Sequence, residues 1–188
     1  DMEKFNSAYN TFLNSAKIRV INAEDPFLAT YCDDAIKLYP SQDISNIQYS
    51  VQSGQPMTTF ILKELGEFKV WGYGQHMAID ASLAILAAMH ECDVETIRKN
   101  LLRFCGIKKR FDILKSSKSA TLIDDYAHHP TEIKATLESA QLYAKLNKIN
   151  SLIAIWQPHK YSRTLANLES FIKCFDGVDE LLILPVYC

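Results

Sequence analysis

The sequence predicts an α/β fold in two parts, residues 1–107 and 108–188. Three observations predict it. Beyond residue 119, short apolar runs alternate with stretches of helical periodicity in the order βαβαβ. Between residues 36 and 71, four short strand-like runs are punctuated by Ser53–Gly54 and Leu65–Gly66, the mark of a small antiparallel region. The basic stretch Gly106–Ile107–Lys108–Lys109–Arg110 lies between the two patterns and reads as a linker.

The elements follow in order. Phe5, Ala8, Tyr9, Phe12 and Ala16 recur at helical spacing and predict a helix over 3–15. A short strand at 18–21 precedes a second helix, for which Asp25 is a capping residue and Pro26 suits the first helical position. Strands are expected at 36–39, 47–51, 58–62 and 68–71. Residues 77–90 read as a central helix apolar most of the way round, with Ile79, Leu83, Leu86 and Ala87 on one face. Asp93 caps a helix reaching about residue 104, with Val94, Ile97 and Leu101 inward. In the second part, strands at 120–124, 152–156 and 180–184 alternate with helices at 131–144 and 163–175. The inward helix positions are Ile133, Leu137, Ala140 and Ala144, then Leu165, Leu168, Ile172 and Phe175. Short apolar strands in that order imply a parallel sheet covered on both faces.

Composition narrows the function. A formal net charge of −2 with 22% charged residues gives no case for a nucleic-acid partner, which needs clustered Lys and Arg. No apolar run approaches the roughly 20 residues that span a bilayer, so no membrane partner is expected. The polar start DMEKFNSAYN does not read as a secretory signal, and the chain reads as an internal piece of a longer one. Five cysteines at irregular spacing, without a CxxC, read as reduced and partly buried thiols.

In parallel sheets of this kind, ligands bind beyond the carboxyl ends of the strands. Two polar clusters fall there: Asp124–Asp125–Tyr126–Ala127–His128–His129–Pro130, and Gln157–Pro158–His159–Lys160–Tyr161–Ser162–Arg163–Thr164. If the preceding strands are neighbours, the loops face one cleft. Structural roles compete with functional ones. Asp124 and Asp125 could cap the next helix or solvate a strand end. Adjacent imidazoles diverge, so His128 and His129 are a weak metal signal, and one of them is expected to satisfy loop backbone groups. Lys160 and Arg163 at a helix start oppose the helix dipole unless an anion intervenes, and Arg163 can grip a carboxylate or phosphate with two hydrogen bonds.

LIDDYAHHPTEI at 122–133 and QPHKYSRT at 157–164 resemble two sequence blocks of the Mur ligase family, in its alanine-adding branch. FCGIKKRFD at 104–112 resembles the interdomain linker of that family. INAEDP at 21–26 and WGYGQHMAIDASLAILAA at 71–88 resemble parts of its central domain, the latter the loop and helix that hold adenine. The resemblance implies the latter part of a central ATP-binding domain over 1–107 and a truncated Rossmann-like C-terminal domain over 108–188. It implies a cytoplasmic step of peptidoglycan synthesis, in which ATP with Mg²⁺ activates the carboxylate of UDP-N-acetylmuramic acid and L-alanine attacks it. His76, Asp80, Arg110 and Asp125 would then serve the nucleotide: His76 and its helix at the adenine, Arg110 at the phosphates, Asp125 at the ribose. Tyr126, His128, Lys160 and Arg163 would line the alanine site, with Arg163 on the carboxylate and His128 and Arg163 as the catalytic pair. No metal ligand is assigned; the main Mg²⁺ ligands are expected in missing parts of the same chain.

The chain departs from the family pattern at Met77 and Asp80, where Asn is usual, and at Lys160, where Arg is common. No GxxxxGK[ST] phosphate loop occurs in these 188 residues, and the segment by itself is expected not to form the amide bond. The alternatives are a Mur ligase that recycles murein tripeptide and a catalytically degenerate nucleotide-binding module. A metal-dependent hydrolase using His128, His129 and His159 is a more distant one.

Overall fold

The computed structural model describes residues 2–31, 34–117 and 119–187; Cys32 and Cys188 lie outside them. The chain forms two compact units. One takes in residues up to Tyr49, then Thr58–Val70 and Gln75–Phe104; the other takes in Ser50–Met57, Trp71–Gly74 and the residues from Cys105 onward.

The first unit opens with α1 (Met2–Ser15), β1 (Val20–Asn22), α2 (Pro26–Tyr31) and β2 (Ile36–Leu38). The Asp25 carboxylate accepts from the N–H groups of Phe27 and Leu28, so it caps α2 as its sequence implies. Strand β2 does not join the antiparallel region. It runs parallel to β1, Val20 opposite Ile36 and Asn22 opposite Leu38. The reason is the connection: it carries α2, and a crossover of that kind returns the chain in the same direction. A single turn, α3 (Pro40–Asp43), leads into the antiparallel region itself, a three-stranded sheet in the order β3 (Ile44–Gln52), β4 (Gln55–Leu62), β5 (Gly66–Trp71).

Two helices follow, α4 (Gln75–Ala88) and α5 (Val94–Leu101). Helix α4 is one-sided rather than buried all round. Ala78, Ala81, Ser82 and Ile85 are buried, whereas Ala84 and Ala87 are exposed. The small residues form the inward stripe because they let the helix lie close to Phe60, Leu62, Phe68 and Val70 of the same core. Phe60 and Phe68 stack with ring centroids 6.0 Å apart. Helix α5 begins on the Asp93 carboxylate, which accepts from the Thr96 N–H at 2.9 Å. That bond and the Thr96 hydroxyl hold the Asp93 carboxyl below its usual range. Val94, Ile97 and Leu101 pack on the core as the periodicity predicts. Arg98 adds a tie: its guanidinium lies 4.2 Å over the Phe68 ring and donates to the Leu65 carbonyl at 2.8 Å.

The second unit contains β6 (Asp112–Ser116), β7 (Thr121–Asp124), α6 (Pro130–Leu146), β8 (Ile153–Trp156), α7 (Tyr161–Ala166), α8 (Leu168–Cys174) and β9 (Glu180–Ile183). Strand β6, not foreseen in the sequence, pairs antiparallel with β7 across a bulge between Ile113 and Lys115. Among the described strands of this unit, only β8 and β9 pair in parallel, Ile153 opposite Glu180 and Trp156 opposite Ile183. The β-α-β-α-β order is present, but β7 and β8 belong to separate two-stranded sheets among the described residues. Nor is the parallel pair covered on both faces. Ala154 and Trp156 turn to the core beside α6 and α8, and strict alternation leaves Ile153 and Ile155 exposed on the other side.

The expected helix at 163–175 is two helices broken at Asn167, whose amide caps back onto the Arg163 carbonyl at 3.0 Å. The break resets the inward face. Leu165 and Ile172 are 71% and 70% exposed and Leu168 is also outside, while Phe171 and Cys174 fill the core with Ile133 and Leu137. Of the cysteines within the described residues, Cys174 is buried and Cys92 and Cys105 are exposed. Within this unit Tyr73 is buried, donates to the Ser50 carbonyl at 2.9 Å, and has its phenol pushed up to about 12 by burial and by neighbouring Tyr143. Gly106, at φ +89°, allows Trp71 to lie against the backbone; a Cβ there would sit 2.6 Å from the indole ring. No helix among the described residues is long and apolar enough to cross a membrane.

Candidate functional site

The loop after β7 is organised by its own side chains. Neither Asp124 nor Asp125 caps α6. Asp124 stays in the strand, opposite Asp112. Asp125 spans the loop: one carboxylate oxygen accepts from the Phe111 N–H and the other from the Ala127 N–H, both at 2.7 Å. The Tyr126 N–H donates to the Lys109 carbonyl at 2.8 Å. These bonds hold linker residues 109–111, in which Lys109 and Phe111 adopt φ of 61° and 49°. A left-handed backbone at two residues other than glycine costs energy, so the linker keeps this shape because Asp125 and Tyr126 grip it. Arg110, between those residues, is exposed. Each oxygen of the Asp125 carboxylate retains a lone pair for a hydroxyl beyond the bonds it already accepts.

His128 and His129 have separate tasks, as expected of adjacent side chains. His129 caps α6, with Nδ1 accepting from the Thr131 N–H at 3.4 Å, and Pro130 occupies the first helical position. His128 is half-buried; its Nδ1 is 3.0 Å from the Tyr126 carbonyl, and its ring meets the exposed Tyr126 ring edge-on at 5.2 Å. The two residues assigned to an amine site therefore touch. Glu132, which sequence reasoning passed over, holds the loop from the helix side. Its Oε2 accepts from the His128 and His129 N–H groups at 3.1 and 3.2 Å and stands 3.6 Å from His128 Nδ1. The His128 N–H bond is the largest cause holding the Glu132 carboxyl below its usual value, with smaller contributions from the His129 N–H and the charges of His128 and Arg110. The signal was in the sequence: a Glu at the third helical position after a capping residue and Pro is a capping box.

In the second loop, Lys160 precedes α7 at φ 63°, with its N–H on the Tyr187 carbonyl at 2.9 Å. Arg163 is half-buried and is the third residue of the six-residue α7, where the first and last turns overlap. So short a helix gives a cation at its middle little dipole effect of either sign, so the position alone does not demand an anion. Arg110, Lys160 and Arg163 make no salt bridge with any described residue, which leaves three cations able to meet anionic groups. The strands before the two loops are not hydrogen-bonded neighbours; the condition that would have aimed both loops into one cleft is not met by strand pairing. In the first unit, His76 and Asp80 share an exposed stripe of α4 one turn apart, whereas Met77 packs toward the apolar core and offers nothing to a base edge.

Residues 109–185 match the family described as Mur ligase, glutamate ligase domain. Across its whole length the chain is 61% identical to a UDP-N-acetylmuramate–L-alanine ligase of Campylobacter curvus (strain 525.92). The chain is similar to Mur ligases. A protein of the same name from Helicobacter pylori (strain HPAG1) is 58% identical over 189 residues and again covers all of the chain. The chain spans 43% and 42% of the length of these two Mur ligases. The solved UDP-N-acetylmuramate-alanine ligase of Thermotoga maritima shares the fold at a TM-score of 0.77 and 22% identity, over 100% of this chain and 42% of that one. Folylpolyglutamate synthase of Thermotoga maritima shares it more loosely, at a TM-score of 0.58 and 18% identity over 90% of this chain and 42% of that one. No group of three or more His, Cys, Asp or Glu among the described residues could hold a metal ion.

Proposed function

We propose that the protein carrying this chain is a cytoplasmic ATP-dependent ligase that joins L-alanine to UDP-N-acetylmuramic acid. The observation that carries this reading is the 61% identity, over all of the chain, to a protein bearing that name. Residues 1–107 then supply the latter part of the ATP-binding central domain and 108–188 the start of the C-terminal domain. A muramyl carboxylate oxygen attacks the γ-phosphorus of ATP, and ADP leaves. The alanine nitrogen attacks the acyl carbon, and the C–O bond to phosphate breaks. His76, Asp80, Arg110 and Asp125 serve the nucleotide. Tyr126, His128, Lys160 and Arg163 serve the amino acid. An α-amino acid arrives as an ammonium, which cannot attack until a base takes a proton. Neutral His128 can take it at Nε2, because Nδ1 is engaged with the Tyr126 carbonyl.

Arg163 is assigned the alanine carboxylate. A charge-assisted pair of hydrogen bonds contributes about 1.5–3 kcal/mol. Arg163→Ala in the full-length protein is therefore expected to raise the KM for L-alanine by about 10- to 100-fold while the KM for ATP stays within about twofold. An unchanged KM for L-alanine would remove Arg163 from the site.

A further inference from the structure

The geometry points to Glu132 as a positioning residue for His128: it fixes the loop and selects the imidazole tautomer that leaves Nε2 free to accept a proton. This inference rests on the reading of His128 at the amine site. Two observations support it independently. The first is backbone geometry. Glu132 Oε2 accepts from the N–H groups of both His128 and His129, at 3.1 and 3.2 Å, from the first turn of α6. The loop thus cannot turn away from the helix without breaking two charge-assisted hydrogen bonds.

The second observation concerns the ring. His128 Nδ1 faces two oxygens, the Tyr126 carbonyl at 3.0 Å and Glu132 Oε2 at 3.6 Å. A carbonyl and a carboxylate can only accept, so both favour a hydrogen on Nδ1. In the neutral ring the lone pair then resides on Nε2, at the opposite edge. The negative charge of Glu132 also stabilises the imidazolium that forms when Nε2 takes the substrate's proton. Glu132 itself stays an acceptor, since its bonds hold its carboxyl below the usual range. Tyr126 limits the remaining freedom by placing its ring edge-on to the imidazole at 5.2 Å.

The test is the ¹⁵N spectrum of the His128 ring, recorded on this chain at a pH about two units above the ordinary imidazole value. The expected wild-type result is a hydrogen on Nδ1 and a bare Nε2. Glu132→Gln keeps a side-chain oxygen for the loop N–H groups but removes the charge. It is expected to raise the share of the Nε2–H form at least threefold and, in the full-length protein, to lower kcat about tenfold with the KM for ATP unchanged. Glu132→Ala is expected to go further in both respects; should it not fold, Glu132→Gln decides alone. A wild-type ring with its hydrogen on Nε2, or the same tautomer share in wild type and Glu132→Gln, would overturn the inference. Adding L-alanine to the full-length protein separates this from the alanine reading. A Glu132-dependent tautomer with no response of Nε2 to L-alanine would sustain the role of Glu132 and remove His128 from the amine site.

Discussion

His128→Ala in the full-length protein lowers amide formation by roughly 10²–10⁴-fold, the range that general-base catalysis supplies. Nδ1 is held by the Tyr126 carbonyl, Glu132 stands 3.6 Å from it, and the ring is half-buried against Tyr126. A side chain so constrained presents one nitrogen and one lone pair. Its removal leaves water to deprotonate the ammonium, so the loss falls on kcat and not on the KM for ATP. Backbone order survives, because the Glu132 bonds go to main-chain N–H groups rather than to the imidazole. Steady-state rates at saturating substrates, with a thermal melt as control, check this. A variant with unchanged kcat would assign the proton transfer elsewhere.

Phe60→Ala has the largest expected effect on stability, about 3–5 kcal/mol. Phe60 is 0% exposed, stacks on Phe68 at 6.0 Å, and lies in the core that Leu38, Leu62, Val70, Ala81 and Ile85 complete. Its loss removes the apolar contacts and leaves a cavity that neighbours on strands cannot collapse to fill. Denaturant unfolding of this chain measures the change. Phe12→Ala, at a position 70% exposed on α1, is the control and is expected to shift stability by under about 0.5 kcal/mol.

The parts of this structure that were legible in the sequence are those fixed by local chemistry. Asp25, Pro26 and Asp93 announce helix starts because a carboxylate before a helix has few other uses. Val94, Ile97 and Leu101 show their inward face through spacing alone. Partnering was not legible. Strand β2 looked like the antiparallel runs that follow it, and only the crossover through α2 makes it parallel. Strand β6, with Lys115 and Ser116 on an exposed edge, carries too little apolar pattern to be seen. The second helix of the C-terminal part was misread because Leu165, Leu168 and Ile172 keep a helical period across Asn167, where the backbone does not. At the site, the residue types were visible, and so was the service of one of the two imidazoles to loop backbone groups; which imidazole it is, and what the carboxylates hold, was not. Asp125 proved to be the residue that ties the loop to the linker, His129 the cap, and Glu132 the support beneath His128.

The most direct test of the ligase reading is phosphate release by the full-length protein with ATP, Mg²⁺ and UDP-N-acetylmuramic acid, comparing L-alanine with a murein tripeptide. The account predicts release with L-alanine and none above background with the tripeptide. Release with the tripeptide alone, or with neither, would contradict it.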